Sequence, residues 1–320
     1  MKNRVFPELK PLFLERINLL LGKDTQNYLE ILKKEPVRSI RCNKLKISAP
    51  ELKTRLENKN WKINQPWKEY PEVMIIENEL EPGDLGRALE HLLGYYYIQE
   101  LASMLPVIAL EPAEQDLILD LCAAPGSKTT QIASEIKNTG TIIANEMSLG
   151  RIKILASNLE RCGVANAIIT RKEGAILSKR LKNTNFLFDK ILIDAPCSGE
   201  GTLRSSPKTY SMWNIRTIKA LSWTQKQLVK EAIGILKPNG ILVYSTCTHA
   251  PEENEETVDY LLKNFPEMKI EKISLPIKYR EGLTKWQDKI FSNEVKKSAR
   301  IYPQDNDTEG FFIAKFRKLK

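Results

Sequence analysis

The chain has 320 residues, enough for one large domain plus a smaller one, each burying a core. No run approaches the ~18 consecutive apolar residues of a membrane span, and Met1-Lys2-Asn3-Arg4 leads into no apolar signal core, so a cytoplasmic protein is expected. The net charge of +9 suits a polyanionic partner without requiring one, and the five cysteines, odd in number and without a Cys-x-x-Cys pair, read as free thiols with neither a disulfide framework nor a metal site.

In chain order, Leu9, Leu12, Phe13, Ile17 and Leu20 recur at helical spacing between Phe6 and Leu21, and Gly22 supplies a stop. A second helix is predicted from Asp24, its N-cap, through Tyr28, Leu29 and Leu32. A strand-like Val37 to Cys42, a helical Ala49 to Asn58 and an apolar Val73 to Ile76 complete a small α+β module. It carries Arg38, Arg41, Lys44, Lys46, Lys53, Arg55, Lys59 and Lys62, with Trp61 and Trp67 among them. Two readings of this module carry equal weight: aromatics among basic residues suit single-stranded nucleic acid, or the tryptophans fill a core beneath a solvated surface.

Pro82-Gly83-Asp84 to Gly94 reads as a hinge, dividing the chain into residues 1–93 and 94–320. Beyond Tyr95 to Gln99 and a helical Glu100 to Leu110, strand and helix signals alternate. Strands are predicted at Leu117 to Leu121, Gly140 to Asn145, Ala167 to Thr170, Lys190 to Ile193 and Gly240 to Tyr244. Helices are predicted at Gly126 to Ile136, Leu149 to Cys162, Ile215 to Leu236 and Glu252 to Asn264, with a turn at Lys237-Pro238-Asn239-Gly240 and a closing strand at Gly310 to Phe316. Such alternation predicts an α/β fold with a mostly parallel, doubly wound sheet, whose chemistry sits at the carboxyl ends of the strands.

Three of those ends carry motifs. Asp120-Leu121-Cys122-Ala123-Ala124-Pro125-Gly126-Ser127-Lys128-Thr129-Thr130 joins a strand to a helix through small residues, which let a ligand approach the backbone. It lacks the three glycines of a dinucleotide fingerprint and is not a Walker loop. Glu146, ending the next strand, can accept hydrogen bonds from ribose hydroxyls, so this end suits an adenosine-containing cofactor; the competing reading is a tight turn and an exposed glutamate. Asp194-Ala195-Pro196-Cys197-Ser198-Gly199 and Ser245-Thr246-Cys247-Thr248 each end a strand with a cysteine.

Carbon 5 of a pyrimidine is too weak a nucleophile to take a methyl group until a thiolate adds to carbon 6 and makes the ring an enamine. The reaction also needs an acid or donor at ring nitrogen 3 and a route for the carbon 5 proton. Asp194, Cys197 and Cys247 supply this set if their strand ends are adjacent. Lys128, or a helix opening after Pro251, would favour the thiolate. Cys42 and Cys162 read as buried small hydrophobes, Cys122 packs within the cofactor turn, and His249 reads as an exposed loop histidine.

These motifs, in this order, resemble the Sun/RsmB-type RNA cytosine-5 methyltransferases, which use S-adenosylmethionine. Also matching are Arg41-x-Asn43-x-Leu45-Lys46, Tyr97-x-Gln99-Glu100-x-Ala102-Ser103, Pro251-Glu252-Glu253-Asn254-Glu255 and Arg300-Ile301-Tyr302-Pro303 with Gly310-Phe311-Phe312. The resemblance implies a Rossmann-like class I methyltransferase domain behind a small ferredoxin-like or RNA-recognition-like α+β domain. It implies Cys247 as nucleophile, Cys197 assisting release and Asp194 contacting the cytosine. It implies cofactor contacts at Cys122, Ala123, Ala124, Pro125, Gly126, Ser127, Lys128, Glu146, Arg151, Glu173 and Asp194. The compact form resembles members acting on tRNA, with rRNA next, and a monomer is expected.

Ser127 departs from the family's usual glycine, Glu146 and Glu173 from its usual aspartates, and Gln304 from a frequent histidine. Three other readings compete. In a DNA cytosine-5 methyltransferase Cys197 would be the nucleophile; methylation of an exocyclic amine would need no cysteine; and an RNA-binding assembly factor would keep the fold without turnover.

Overall fold

Two sheets organise the chain in a computed structural model that describes residues 9–211 and 213–320. The strands are β1 (Arg38–Cys42), β2 (Ile63–Asn64), β3 (Val73–Ile76), β4 (Tyr96–Ile98), β5 (Leu117–Asp120), β6 (Thr141–Asn145), β7 (Ala167–Thr170), β8 (Phe188–Asp194), β9 (Leu236–Thr246), β10 (Met268–Glu271), β11 (Arg280–Glu281), β12 (Lys285–Trp286), β13 (Lys289–Ile290), β14 (Ala299–Ile301) and β15 (Phe311–Lys318). The larger sheet runs β11-β14-β15-β9-β8-β5-β6-β7, with β10 on the far half of β15, while β12 and β13 form a separate hairpin. From β9 to β7 every pair is parallel, and β15 runs antiparallel to β9.

The chain steps from β5 out to β6 and β7, then returns to β8 on the other side of β5. That reversal makes a crevice outside the strand ends, the Rossmann-like binding position. Successive strand residues face opposite sides. Thus Ile118 packs with Leu105 and Ile132 on one face, and Leu119 with Leu177, Leu228 and Val229 on the other. Because both faces are covered, the strands read as unbroken apolar runs.

The smaller sheet, β2-β3-β1-β4, is antiparallel throughout, and its core contains Ile40, Leu52, Leu56, Trp61, Met74 and Tyr96. Trp67 is buried against the cluster around helix Leu101–Leu110, so both tryptophans are core residues. The basic module is correspondingly less available. Arg41 is buried, Lys44 pairs with Glu72 and Glu135, and Arg55 and Lys59 pair with Glu90. The stretch read as a hinge folds into two short helices, Asp84–Arg87 and Leu89–Leu92, and β4, beyond it, pairs with β1.

The first two helices, Pro11–Leu21 and Thr25–Leu32, pack against Leu203, Tyr210, Trp213, Ala250 and Tyr302 through Phe13, Ile17 and Tyr28. Phe6, where the helical pattern in the sequence begins, lies outside the described residues. Asp24 precedes the second helix but makes no cap; its carboxylate accepts from Asn27, Arg280 and Gln304 instead.

Three further boundaries differ from expectation. The long helix stops at Ile233, and β9 starts at Leu236 because Leu236 pairs with Phe188 before the 237–240 turn bulges out and Ile241 resumes opposite Lys190. The helix expected from Glu252 starts at Glu255, since the residues before it are held by side-chain bonds. Helix Gly174–Lys182 was not anticipated. Among the described residues no helix is long and apolar enough to cross a membrane.

Candidate active site

A cavity of about 540 Å³ opens at the carboxyl ends of β5 to β9, within the ~300–1,000 Å³ usual for small-molecule sites. At its β5 end Asp120 is buried. Its Oδ2 accepts from Thr129 Oγ1 at 2.6 Å and its Oδ1 has no hydrogen-bond partner; burial pushes this carboxyl up to about 6. Cys122, Ala123, Ala124, Pro125, Ser127 and Lys128 line the wall. Gly126 stands behind it at φ 104°, where a Cβ would lie 3.0 Å from Leu155 Cδ1, so the turn excludes a side chain there.

Glu146 is buried at the end of β6, pairing with Arg151 Nη1 at 2.9 Å and accepting from Ser148 N at 2.8 Å. Arg151 also donates to Ala124 O at 2.5 Å, which fixes the turn. Glu173 lines the cavity after β7, where its carboxylate caps helix Gly174–Lys182 by accepting from Ala175 N and Ile176 N, each at 3.0 Å. Sequence reasoning passed over Asn145, whose amide donates to Leu121 O and Lys172 O and whose Oδ1 accepts from Thr170 Oγ1. It ties three strand ends together.

At the other end, Asp194 stands opposite Ser245 in the β8–β9 register. Its Oδ2 pairs with Lys128 Nζ at 2.8 Å, and its Oδ1 accepts from Ser245 Oγ at 2.8 Å. Lys128 also donates to Ser103 Oγ at 3.0 Å. Its charge is therefore compensated by Asp194, a partner that sequence could not assign. Because β8 and β9 are neighbours, the two cysteines meet: Cys197 Sγ lies 3.2 Å from Cys247 Sγ. The hydrogen bond to Cys247, reinforced by burial, pushes the Cys197 thiol up, so Cys197 retains its proton.

The loop after β9 is held by four consecutive side chains. Glu252 accepts two bonds from Arg16, at 2.9 and 2.7 Å, and one from Trp286 Nε1 at 3.1 Å. Glu253 accepts from Ser198 N at 3.0 Å, from Ser198 Oγ and from Gln225 Nε2 at 2.8 Å; burial pushes it up to about 7. Asn254 bonds Thr246 and Thr248, and Glu255 pairs with Arg300. This lattice, rather than a helix end after Pro251, sets the surroundings of the thiols.

His249 is buried, not exposed: it stacks on Tyr302 at 4.9 Å between ring centroids, and burial pushes it down to about 3, so it is neutral. Gln304, in place of the frequent histidine, donates to Asp24 at 2.9 Å. Cys42 and Cys162 are buried away from the cavity, and Cys122, half-buried, lines it. Glu100, Ser103, Thr202, Ser205, Glu309 and Phe311 also line the cavity. Several lie within recognisable motifs, yet only the β15–β9 pairing carries Glu309 and Phe311 to the cysteines.

Known proteins resemble this chain along nearly its whole length. Residues 107–317 match the family model 16S rRNA methyltransferase RsmB/F, and residues 9–101 match the N-terminal domain of 16S rRNA methyltransferase RsmF. The chain is 42% identical to the tRNA (cytosine(49)-C(5))-methyltransferase of Pyrococcus abyssi, across 98% of this chain and 97% of that one. It is 41% identical to the ribosomal RNA small subunit methyltransferase F of Psychromonas ingrahamii over 92% of this chain, spanning 60% of that protein's length. Among solved structures, a methyltransferase homolog protein from Pyrococcus horikoshii superposes with a TM-score of 0.84 at 36% identity, covering 97% of this chain and 95% of that one. NSun6 from Pyrococcus horikoshii with SFG superposes at 0.82 and 26% identity, covering 98% and 99%.

Proposed function

Because the chain belongs to the 16S rRNA methyltransferase RsmB/F family, we propose that it methylates carbon 5 of a cytosine in tRNA, using S-adenosylmethionine and a covalent Cys247 adduct. The observation that carries this reading is the pair of thiols 3.2 Å apart in one cavity with the Asp120 and Glu146 carboxylates. The near-full-length likeness to a tRNA enzyme supports tRNA, and the nucleotide named for that relative, cytosine 49, is the first position to test. The bacterial relatives favour a second reading, the same chemistry on rRNA.

The donor set at β5 and β6 fits the cofactor. The unpartnered Asp120 Oδ1 offers an acceptor to its ammonium, Glu146 to its ribose hydroxyls, and the small turn lets the ligand lie against backbone. Glu173, engaged as a helix cap, retains acceptor capacity on the adenine side. When bound, the cofactor supplies a methyl group activated on a sulfonium centre.

The target cytosine enters unstacked. Cys247 as thiolate adds to carbon 6, and the electrons displaced toward carbon 5 take up the methyl group. The Asp194–Lys128 pair holds the ring; the carbon 5 proton then passes to solvent water, its bonding electrons re-form the carbon 5–carbon 6 double bond, and the thiolate leaves. Cys197, keeping its proton, stabilises the departing sulfur by donating to it. Residues 1–93, whose strands β1 to β3 are completed into a sheet by β4 from beyond that range, are the proposed RNA-holding unit.

Transfer of labelled methyl to unmodified tRNA and rRNA, with nucleoside analysis, tests this reading. Label in 5-methylcytidine that disappears in Cys247→Ala is the expected result. No label in either pool despite cofactor binding would point to an RNA-binding role without turnover.

A further inference from the structure

Glu309 is only 3% exposed, and neither of its carboxyl oxygens has a hydrogen-bond partner. An uncompensated buried carboxyl costs stability, and this one lies in the wall of the cavity that holds both thiols. The backbone ties it there: Gly201 N donates to Cys247 O at 2.9 Å, and Gly310 N donates to Gly201 O at 2.8 Å. Room for that ladder exists because residues 201 and 310 are glycines; a Cβ on Gly201 would stand 2.3 Å from Gly310 O. Beyond Gly310, β15 runs antiparallel to β9 with Phe312 opposite Thr246. The residues just before Phe312 therefore pass beside Cys247.

The nearby polar groups are otherwise engaged. Arg204 donates to Thr308 O, Glu35 O and Asp307 Oδ1. Glu100 accepts from Ser103 N at 3.2 Å and from the Glu309 backbone N–H at 2.9 Å. Asp194 and Lys128 satisfy each other. Ser205 and Arg204 stand beside Glu309 and favour its charged form, yet neither carboxyl oxygen has a partner in hydrogen-bond geometry, so both can accept from a ligand.

Given the cytosine methylation proposed above, we propose that Glu309 accepts a hydrogen bond from the exocyclic amino group of the target base and so sets the preference for cytosine over uracil. Cytosine carries an amino donor at carbon 4, where uracil carries an oxygen acceptor. A carboxylate attracts the first and repels the second. Burial, with Glu100 beside it, pushes Glu309 up to about 7 against the opposing pull of Ser205 and Arg204, so the carboxyl is poised to become charged when a further donor arrives.

The test compares transcripts with cytidine or uridine at the methylated position, in wild type, Glu309→Gln and Glu309→Met. Wild type must label the cytidine transcript; if it does not, the methylation reading itself has failed, a result separate from this one. Wild type is expected to prefer cytidine by at least about 100-fold in kcat/KM. In Glu309→Gln, whose amide can turn its NH₂ toward a uracil oxygen, that preference should shrink at least about tenfold, through loss on cytidine and gain on uridine. Glu309→Met fills the same space without polar atoms and should lose rate on cytidine alone, also shrinking the ratio. Both variants remove an unpaired buried carboxyl, so both should melt no lower than wild type and bind S-adenosylmethionine unchanged in calorimetry. An undiminished cytidine preference in the folded variants, whether their rates are normal or uniformly reduced, overturns the assignment.

Discussion

Cys197 and Cys247 touch, and the roles proposed for them differ. The hydrogen bond to Cys247 and burial keep the proton on Cys197, so Cys197→Ser should leave methylated RNA attached to Cys247, visible as a denaturation-resistant adduct, while Cys247→Ser should form none. The reverse pattern would transfer the nucleophile's role to Cys197. Glu253, beside these thiols, is pushed up to about 7 by burial, against ~4.3 in an unfolded chain. The folded state therefore binds the proton more tightly, and stability is lost as pH rises from about 4.3 to 7. A shift of that size is worth on the order of 3 kcal/mol. Urea unfolding of Glu253→Gln at pH 5 and pH 8 should show a smaller loss across that interval than wild type; an unchanged loss would mean the carboxyl is not the group titrating.

Among the elements, the loop after β9 gives the amino-terminal helices a structural task. Arg16, from helix Pro11–Leu21, makes a buried two-bond pair with Glu252, clamping the loop that follows Cys247. Arg16→Met should cost roughly 3–5 kcal/mol by stranding Glu252, and Arg16→Met with Glu252→Gln should recover most of it in the same denaturant titration. Arg41 plays a comparable part between the sheets. It reaches Ser127 O at 2.8 Å and Thr130 Oγ1 at 2.9 Å, and burial lowers it to about 10. Read along the chain, Arg41 was one basic residue among eight. Folded, it braces the helix that carries Lys128.

At the scale of the molecule, ligand and RNA should act on the folded state in measurable ways. S-adenosylmethionine at about 100 times its Kd should stabilise by ~2.7 kcal/mol, raising Tm by roughly 4 °C; no shift would argue against the cofactor end proposed at Asp120 and Glu146. With a net charge of +9, RNA affinity should fall linearly in log–log plots against salt. A flat response would remove phosphate contact from the account. The alternation of strands and helices, the three strand-end motifs and the two strand-end cysteines were legible in sequence, because parallel strands buried on both faces read as apolar runs and chemistry gathers where they end. The long 237–240 bulge was not legible, since a turn inside a strand looks locally like a turn between elements. The fates of Trp61, Trp67, Arg41 and His249 were not legible either, because burial depends on partners far along the chain. By itself, then, the sequence determined the order of elements and the chemical groups available, which are local and periodic properties. Only the tertiary structure decided that Lys128 compensates Asp194, that Glu253 neighbours the thiols and that Glu309 stands unpaired in the cavity, because each of these rests on strand ends brought side by side by the order of the sheet.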